Sequence, residues 1–266
     1  MTVVSAQERF RTAYAEHRAL EGRRLGEAEL LSLPYLTDGP LARAWSVRAA
    51  TFEAFRRRVV HPLAAKAGRP LCILDLGAGN GWLSYRLALE GHGCTALDVR
   101  EDNVDGLGAA RPLLERVHFA TLAASFDAIP LPDAGMDLTL FNAALHYATD
   151  LEAVLAEALR VTAPGGRIAI LDSPFYAREA AGVAMVAEKH RHAEGTFGAR
   201  ADALLALSFI EFLTRERLAR ASAPLGLVWR RRRVRYPLWY ETRGLLAALR
   251  GQRPPSRFDF WTTVAP

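Results

Sequence analysis

The stretch ILDLGAGNGWLS, Ile73 to Ser84, limits the fold more than any other part of the chain. An apolar run ends in an acid, glycines follow at 77, 79 and 81, and a helix-like pattern begins. Such a turn after a strand sits at the carboxyl edge of an α/β sheet, where ligands of open sheets bind. Gly77, Gly79 and Gly81 let the backbone take positive φ and come close to a ligand. A phosphate-gripping loop needs a four-residue spacer and a Lys-Ser/Thr pair, and GAGNGWLS has neither. The dinucleotide fingerprint needs a sixth-place glycine for close helix–strand packing, and that place holds Trp82. The expected ligand is therefore not a pyrophosphate.

The rest of the chain is consistent with such a sheet. From Leu71, short apolar runs alternate with helical patterns: LCILDL, CTALDV, RVHFATL, DLTLFNA and RIAILD read as strands. The segment DLEAVLAEALRVT reads as a helix capped by Asp150 and stopped by APGG. Later come LTRERLARA, a helix capped at Thr214, and two closing strands, GLVWRRRRVRY and FDFWTTVA. Short buried strands alternating with helices argue for a parallel sheet covered on both faces. The first 70 residues are expected to form a helical cap, 71–266 the ligand-binding domain, and 175–210 a helical insertion near the site.

Composition excludes little. The two cysteines, Cys72 and Cys94, lie in apolar runs and read as buried free thiols of a reducing compartment. MTVVSAQERFRTAY has no apolar core of signal-peptide length, and no run is long enough to span a membrane, so a cytoplasmic location is expected. The net charge of +5 gathers late: from Leu171 onward there are 16 Lys/Arg against 9 Asp/Glu. Most of that surplus is the Arg230–Arg233 run, read as a strand whose arginine stems lie on apolar surface, with a phosphate-binding patch as the alternative. EKHRH, with His190 and His192, has metal-like spacing but no partner cluster, so no metal is expected.

LDLGAGNG with an acid closing the next strand resembles the class I, Rossmann-like, S-adenosylmethionine-dependent methyltransferases. IPLPDAGMDLTLFNAALHY and DLEAVLAEALRVTAPGGRIAILD extend the likeness to that family's small-molecule and quinone-type subgroup, over Leu71 to Asp172. The resemblance implies an α/β three-layer sandwich with a mostly parallel seven-stranded sheet, its last strand antiparallel. It implies S-adenosylmethionine as cofactor, with Gly77, Ala78, Gly79, Gly81 and Trp82 forming the turn against its methionyl part and Asp75 near its ammonium. Asp98, followed by Val99, would take the ribose hydroxyls. Where the family carries an acid for the adenine amino group, this chain has Ser125, with Phe126 and then Asp127 behind it; either Ser125 or Asp127 would make that contact, with Phe126 on the adenine face. Asn142 would lie beside the transferred methyl.

Methyl transfer needs alignment and water exclusion, and a base only where the acceptor holds its proton tightly. His146, one helical turn past Asn142, is the expected base. Tyr147, Pro174, Phe175 and Tyr176 are expected to line the acceptor pocket, with Tyr14, Tyr35 and Trp45 closing over it. The expected acceptor is a small organic molecule methylated on O, N or C. An RNA or protein methyltransferase is the alternative, favoured by the Arg-rich strand and opposed by the missing amine-clamp motif and RNA-binding module. A cofactor-binding partner subunit without activity is the third reading. Oligomeric state is left open by the sequence.

Overall fold

The computed structural model describes residues 5–266; the first four residues of the expected cap lie outside the described residues. Seven strands form one sheet: β1 (Cys72–Leu76), β2 (Gly93–Asp98), β3 (Ala120–Ala123), β4 (Met136–Asn142), β5 (Thr162–Leu171), β6 (Arg230–Arg232) and β7 (Phe260–Val264). Their order is β3-β2-β1-β4-β5-β7-β6, with only β7 running against the rest. Strand order reverses between β1 and β4, which leaves a crevice beyond the carboxyl ends of these two strands.

Both faces of the sheet are covered, which explains why the strands read as unbroken apolar runs rather than as alternations. Ile73, Leu138, Leu140, Ala169 and Phe260 face one core, and Leu74, Leu76, Phe141, Ile168 and Trp261 the other. The first core is completed from the N-terminal side. Helices α1 (Ala6–Leu20), α2 (Glu27–Ser32) and α3 (Ala42–Phe55) lead through a π-helical turn, Arg56–Val60, into α4 (His61–Ala67). Phe52 and Phe55 of α3 pack in that core. Helices α5 (Trp82–Leu89), α6 (Arg111–Leu114) and α7 (Leu151–Val161) connect the parallel strands. Asp150 caps α7 by accepting from the Ala153 N–H at 3.1 Å.

The 175–210 region holds α8 (Glu179–Arg191), α9 (Ala193–Phe197) and α10 (Ala201–Leu205). It meets α1 through the Arg200–Glu16 ion pair and the Phe197–His17 ring contact. Helix α11 (Arg215–Ser222) starts at Thr214, whose hydroxyl accepts from the Arg217 N–H at 3.0 Å.

Three expectations need correction. Cys72 is free but exposed, because it opens β1 at the uncovered amino edge of the sheet; Cys94 is buried and free. The fifth strand begins before RIAILD: α7 ends at Val161, just ahead of APGG, and these four residues are looped out within β5, where the β4 register jumps from Met136↔Thr162 to Leu138↔Arg167. The Arg-rich strand is only three residues long, and Arg231 is pinned to the buried Asp259 carboxylate by bonds of 2.8 and 2.5 Å.

Candidate active site

The crevice at the β1–β4 switch holds a cavity of about 460 Å³. Its floor is the glycine turn. Gly77 (φ +71°) lies so close to the loop after β4 that an added Cβ would stand 2.4 Å from Ala144 Cβ. The turn is tied to the end of β2 by bonds from the Gly77 and Ala78 N–H groups to the Leu97 carbonyl, at 2.8 and 3.0 Å. Asp98 continues that tie. Its Oδ2 accepts from the Gly79 N–H at 2.8 Å and its Oδ1 from the Arg100 N–H at 2.9 Å. Each oxygen keeps a second lone-pair direction for a ligand hydroxyl. Burial pushes the Asp98 carboxyl above its ordinary range, against the pull of Arg100 and the two backbone donors.

Of the sequence-derived residues, Gly77, Ala78, Gly79, Asp98, Val99 and Asn142 line this cavity, as do Ser125, Phe126 and Asp127. Ser125 and Asp127 both border it, so the two adenine alternatives remain equal. Phe126 packs edge-on against Phe141, 6.0 Å between centroids. His146 and Tyr147 also line the cavity, on a short 3₁₀ turn past β4.

Other positions lie elsewhere. Gly81 is the start of α5 and faces the Phe119 ring, where a Cβ would come within 3.1 Å; it serves helix–strand packing. Trp82 borders the cavity but is buried, with its indole edge-on to Trp45 and Phe52. Asp75 is 1% exposed, lies beneath the turn and does not line the cavity. Its Oδ2 accepts from the Ser84 hydroxyl at 3.1 Å, and burial drives its carboxyl up to about 7. Phe175 and Tyr176 are turned away. Phe175 bridges to Leu213 and Arg257 and stacks on Trp261, while Tyr176 meets Phe212 and Arg253; only Pro174 of that trio reaches the cavity. Tyr35 is off the site, bonded to Glu53 at 2.5 Å.

The roof comes from α1. Tyr14 shares a 2.8 Å hydroxyl–hydroxyl bond with Tyr147, and Phe10 packs on Phe209 of the 175–210 region's end. Arg18 pairs with Asp105 at 2.7 Å, and Asp105 in turn accepts from the Asn80 amide of the glycine turn at 3.2 Å. The helix is thus wired to the floor it covers. Arg23 also lines the cavity; burial, with Arg18 and Arg48 nearby, pulls it down to about 10.

Sequence reasoning did not find Arg18, Arg23, Arg48, Asn80, Asp105 or Asp172 as cavity residues. The arginines come from helices distant in the chain, and no local pattern marks them. Asp172 had a signal: it directly follows an apolar strand, as Asp98 nearly ends one. Burial pushes it up to about 6, while Arg48 and the Thr51 hydroxyl pull the other way. His146 is driven the opposite way, down to about 3, by burial and by the charges of Arg48, Lys189 and Arg18. It is a neutral imidazole and a weak base.

Fold and site together define a Rossmann-like α/β domain with a roofed cleft at its switch point. Residues 74–170 match the family model described as a methyltransferase domain. A malonyl-[acyl-carrier protein] O-methyltransferase of Erwinia pyrifoliae is 36% identical over 130 residues, 49% of this chain and 47% of that protein. Its counterpart from Serratia marcescens is 38% identical over 96 residues, 36% of each. The chain therefore spans about half the length, or less, of the curated relatives it matches. Among solved structures, Burkholderia thailandensis 1,6-didemethyltoxoflavin-N1-methyltransferase, with bound 1,6-didemethyltoxoflavin and S-adenosylhomocysteine, has a TM-score of 0.53 at 18% identity, covering 100% of this chain and 92% of that one. The CurJ carbon methyltransferase has a TM-score of 0.56 at 15% identity, covering 91% and 60%. These two likenesses are of fold. Residues 74–170 are thus similar to a methyltransferase domain, and they sit in a Rossmann-like sheet.

Proposed function

We propose that this protein is an S-adenosylmethionine-dependent methyltransferase acting on an O, N or C atom of a small organic acceptor. The observation that carries this reading is the bare glycine turn, tied to a carboxylate at the end of β2 and facing a roofed cavity. That donor set suits a nucleoside with an amino-acid tail: a backbone floor without side chains, a carboxylate for a diol, and an aromatic face at Phe126. Arg18 and Arg23 supply positive charge for a carboxylate tail, while Asp75, expected near the ammonium, lies buried beneath the turn. The relatives' names cover oxygen, nitrogen and carbon acceptors, which is why the acceptor atom stays general.

The bound sulfonium supplies an electrophilic methyl group. The protein's share is to hold the acceptor in line and keep water out. Asn142 and the 3₁₀ turn with His146 and Tyr147 border the place beyond the turn, and α1 roofs it. In this reading the first 70 residues act as cap and the 175–210 region braces it. The free thiols of Cys72 and Cys94 support a cytoplasmic location. Among the described residues no helix is long and apolar enough to cross a membrane.

Calorimetry with S-adenosylhomocysteine tests the reading directly, with binding in the micromolar range expected. Absence of binding would overturn it. Transfer of labelled methyl to small acceptors, and not to bulk RNA or protein, would separate it from macromolecular methylation.

A further inference from the structure

The inner end of the cavity holds more polar capacity than the described residues use. Asp172, just past β5, is 5% exposed and its Oδ1 has no partner. Its φ of +49° is a left-handed conformation that costs free energy in any residue but glycine, and such strain gathers at working sites. Ala143, just past β4, shares that conformation at φ +54°, and its N–H binds the Leu171 carbonyl at 2.9 Å, which fixes the two strand ends side by side. Asn142 Oδ1 is buried there and unpartnered.

Helix α3 supplies the facing wall. Trp45 Nε1 is buried without a partner. Arg48 lies over the Trp45 ring, 5.1 Å from its centroid, and makes no ion pair among the described residues. His146 closes the group with an unpartnered Nδ1. A buried polar group without a partner is costly, and native structures hold few of them. Several around one cavity end point to a ligand that completes them.

The charges select among ligands. A plain carboxylate would meet Arg48 but also the Asp172 carboxylate. An ammonium group would meet Asp172 but also Arg48. An apolar ring would leave every group unpaired. A neutral edge with a hydrogen-bond acceptor beside a donor suits all of them: the acceptor toward Arg48 and Trp45, the donor toward Asp172 and Asn142.

We propose that this wall is an acceptor subsite for a small neutral compound whose carbonyl is conjugated with an N–H or O–H, as in a lactam or imide, and that Asp172 takes the departing proton. The proposal rests on the transferase reading above. In the step, the methyl carbon–sulfur bond breaks and its electron pair stays on sulfur. A bond forms from the acceptor's N or O to that carbon, and the acceptor's proton passes to the Asp172 carboxylate. Asp172 outranks His146 for this role because it is ionised at neutral pH yet held up by burial, whereas the imidazole is a far weaker base.

Saturation-transfer NMR on the full chain with S-adenosylhomocysteine tests the subsite, using uracil, 2-pyridone, benzoate and benzylamine as probes. Uracil and 2-pyridone are expected to bind and the other two are not. W45F is expected to weaken 2-pyridone binding at least five-fold while leaving S-adenosylhomocysteine affinity unchanged. With labelled S-adenosylmethionine, wild-type protein should methylate 2-pyridone, and Asp172→Asn should lower that rate at least 100-fold while 2-pyridone affinity changes less than five-fold. Equal or stronger binding of benzoate or benzylamine, no binding of any probe, or unchanged 2-pyridone binding in W45F would overturn the subsite. No product from the wild type, or undiminished product from Asp172→Asn, would overturn the role of Asp172. Failure of S-adenosylhomocysteine itself to bind would instead overturn the transferase reading, and the same probes on the unloaded protein would still read the subsite.

Discussion

The hydroxyls of Tyr14 and Tyr147 lie 2.8 Å apart although 133 positions separate them in the chain. The bond joins the roof helix to the turn that follows β4, so it holds the cavity closed from above. Burial keeps the Tyr147 phenol far above its ordinary range, hence protonated at any working pH. Tyr14→Phe would leave the half-buried Tyr147 hydroxyl without its partner, a cost of about 1–3 kcal/mol. We expect S-adenosylhomocysteine to dissociate several-fold faster from this variant, as read by stopped-flow fluorescence. An unchanged rate would mean that α1 does not gate the cavity.

Gly77 has no room for a side chain. A Cβ there would meet Ala144 Cβ at 2.4 Å, on a backbone already at φ +71°. Gly77→Ala should abolish measurable cofactor binding in calorimetry and lower the melting temperature. Gly244→Ala, where nothing stands within 4 Å and no positive φ is required, is the matching control and should leave cofactor binding unchanged without lowering the melting temperature.

Asp98 joins the ends of β1 and β2 through the Gly79 and Arg100 N–H groups. Asp98→Ala removes these acceptors and the carboxylate proposed for the ribose, so cofactor affinity should fall by about 1.5–3 kcal/mol, the range for hydrogen bonds to a charged group. Titration calorimetry measures it. Affinity equal to wild type would take Asp98 out of the site.

Asp75 gives a pH signature. Its carboxyl stands at about 7 in the folded chain, raised by burial and by the neighbouring Asp98 charge against the Ser84 hydroxyl bond, and near 4 when unfolded. Between pH 4 and 7 the folded chain therefore keeps a proton that the unfolded chain has released. Its contribution is greatest below pH 4 and falls as pH rises to 7, on the order of 4 kcal/mol in all. Asp75→Asn should lose less stability than wild type between pH 5 and pH 8, as read from urea midpoints. Parallel profiles would exclude a buried, titrating Asp75.

Much of the fold was legible locally. An apolar run between turn signals marks a buried strand whatever its neighbours, and each of the seven strands overlaps a run read as a strand, although β5 begins five residues before its run. The Asp150 and Thr214 caps are likewise local, since a cap bonds to an N–H three residues on. The wall formed by DSPFY was not legible. Asp172 takes a left-handed turn, and Phe175 then pairs with Leu213 and Arg257, which carries its ring onto Trp261 and away from the cavity. Partners 38 and 82 positions away decided where that ring points, and no short-range pattern encodes them.

The sequence by itself determined the glycine turn, the strand before it and the acid ending the neighbouring strand, because backbone freedom and strand burial are properties of a few adjacent residues. Only the tertiary structure decided what encloses that turn. Arg18, Arg48 and Tyr14 arrive from N-terminal helices, and Asp172 from the end of β5. Their convergence depends on how helices pack on a twisted sheet, which sums many weak contacts across the whole chain.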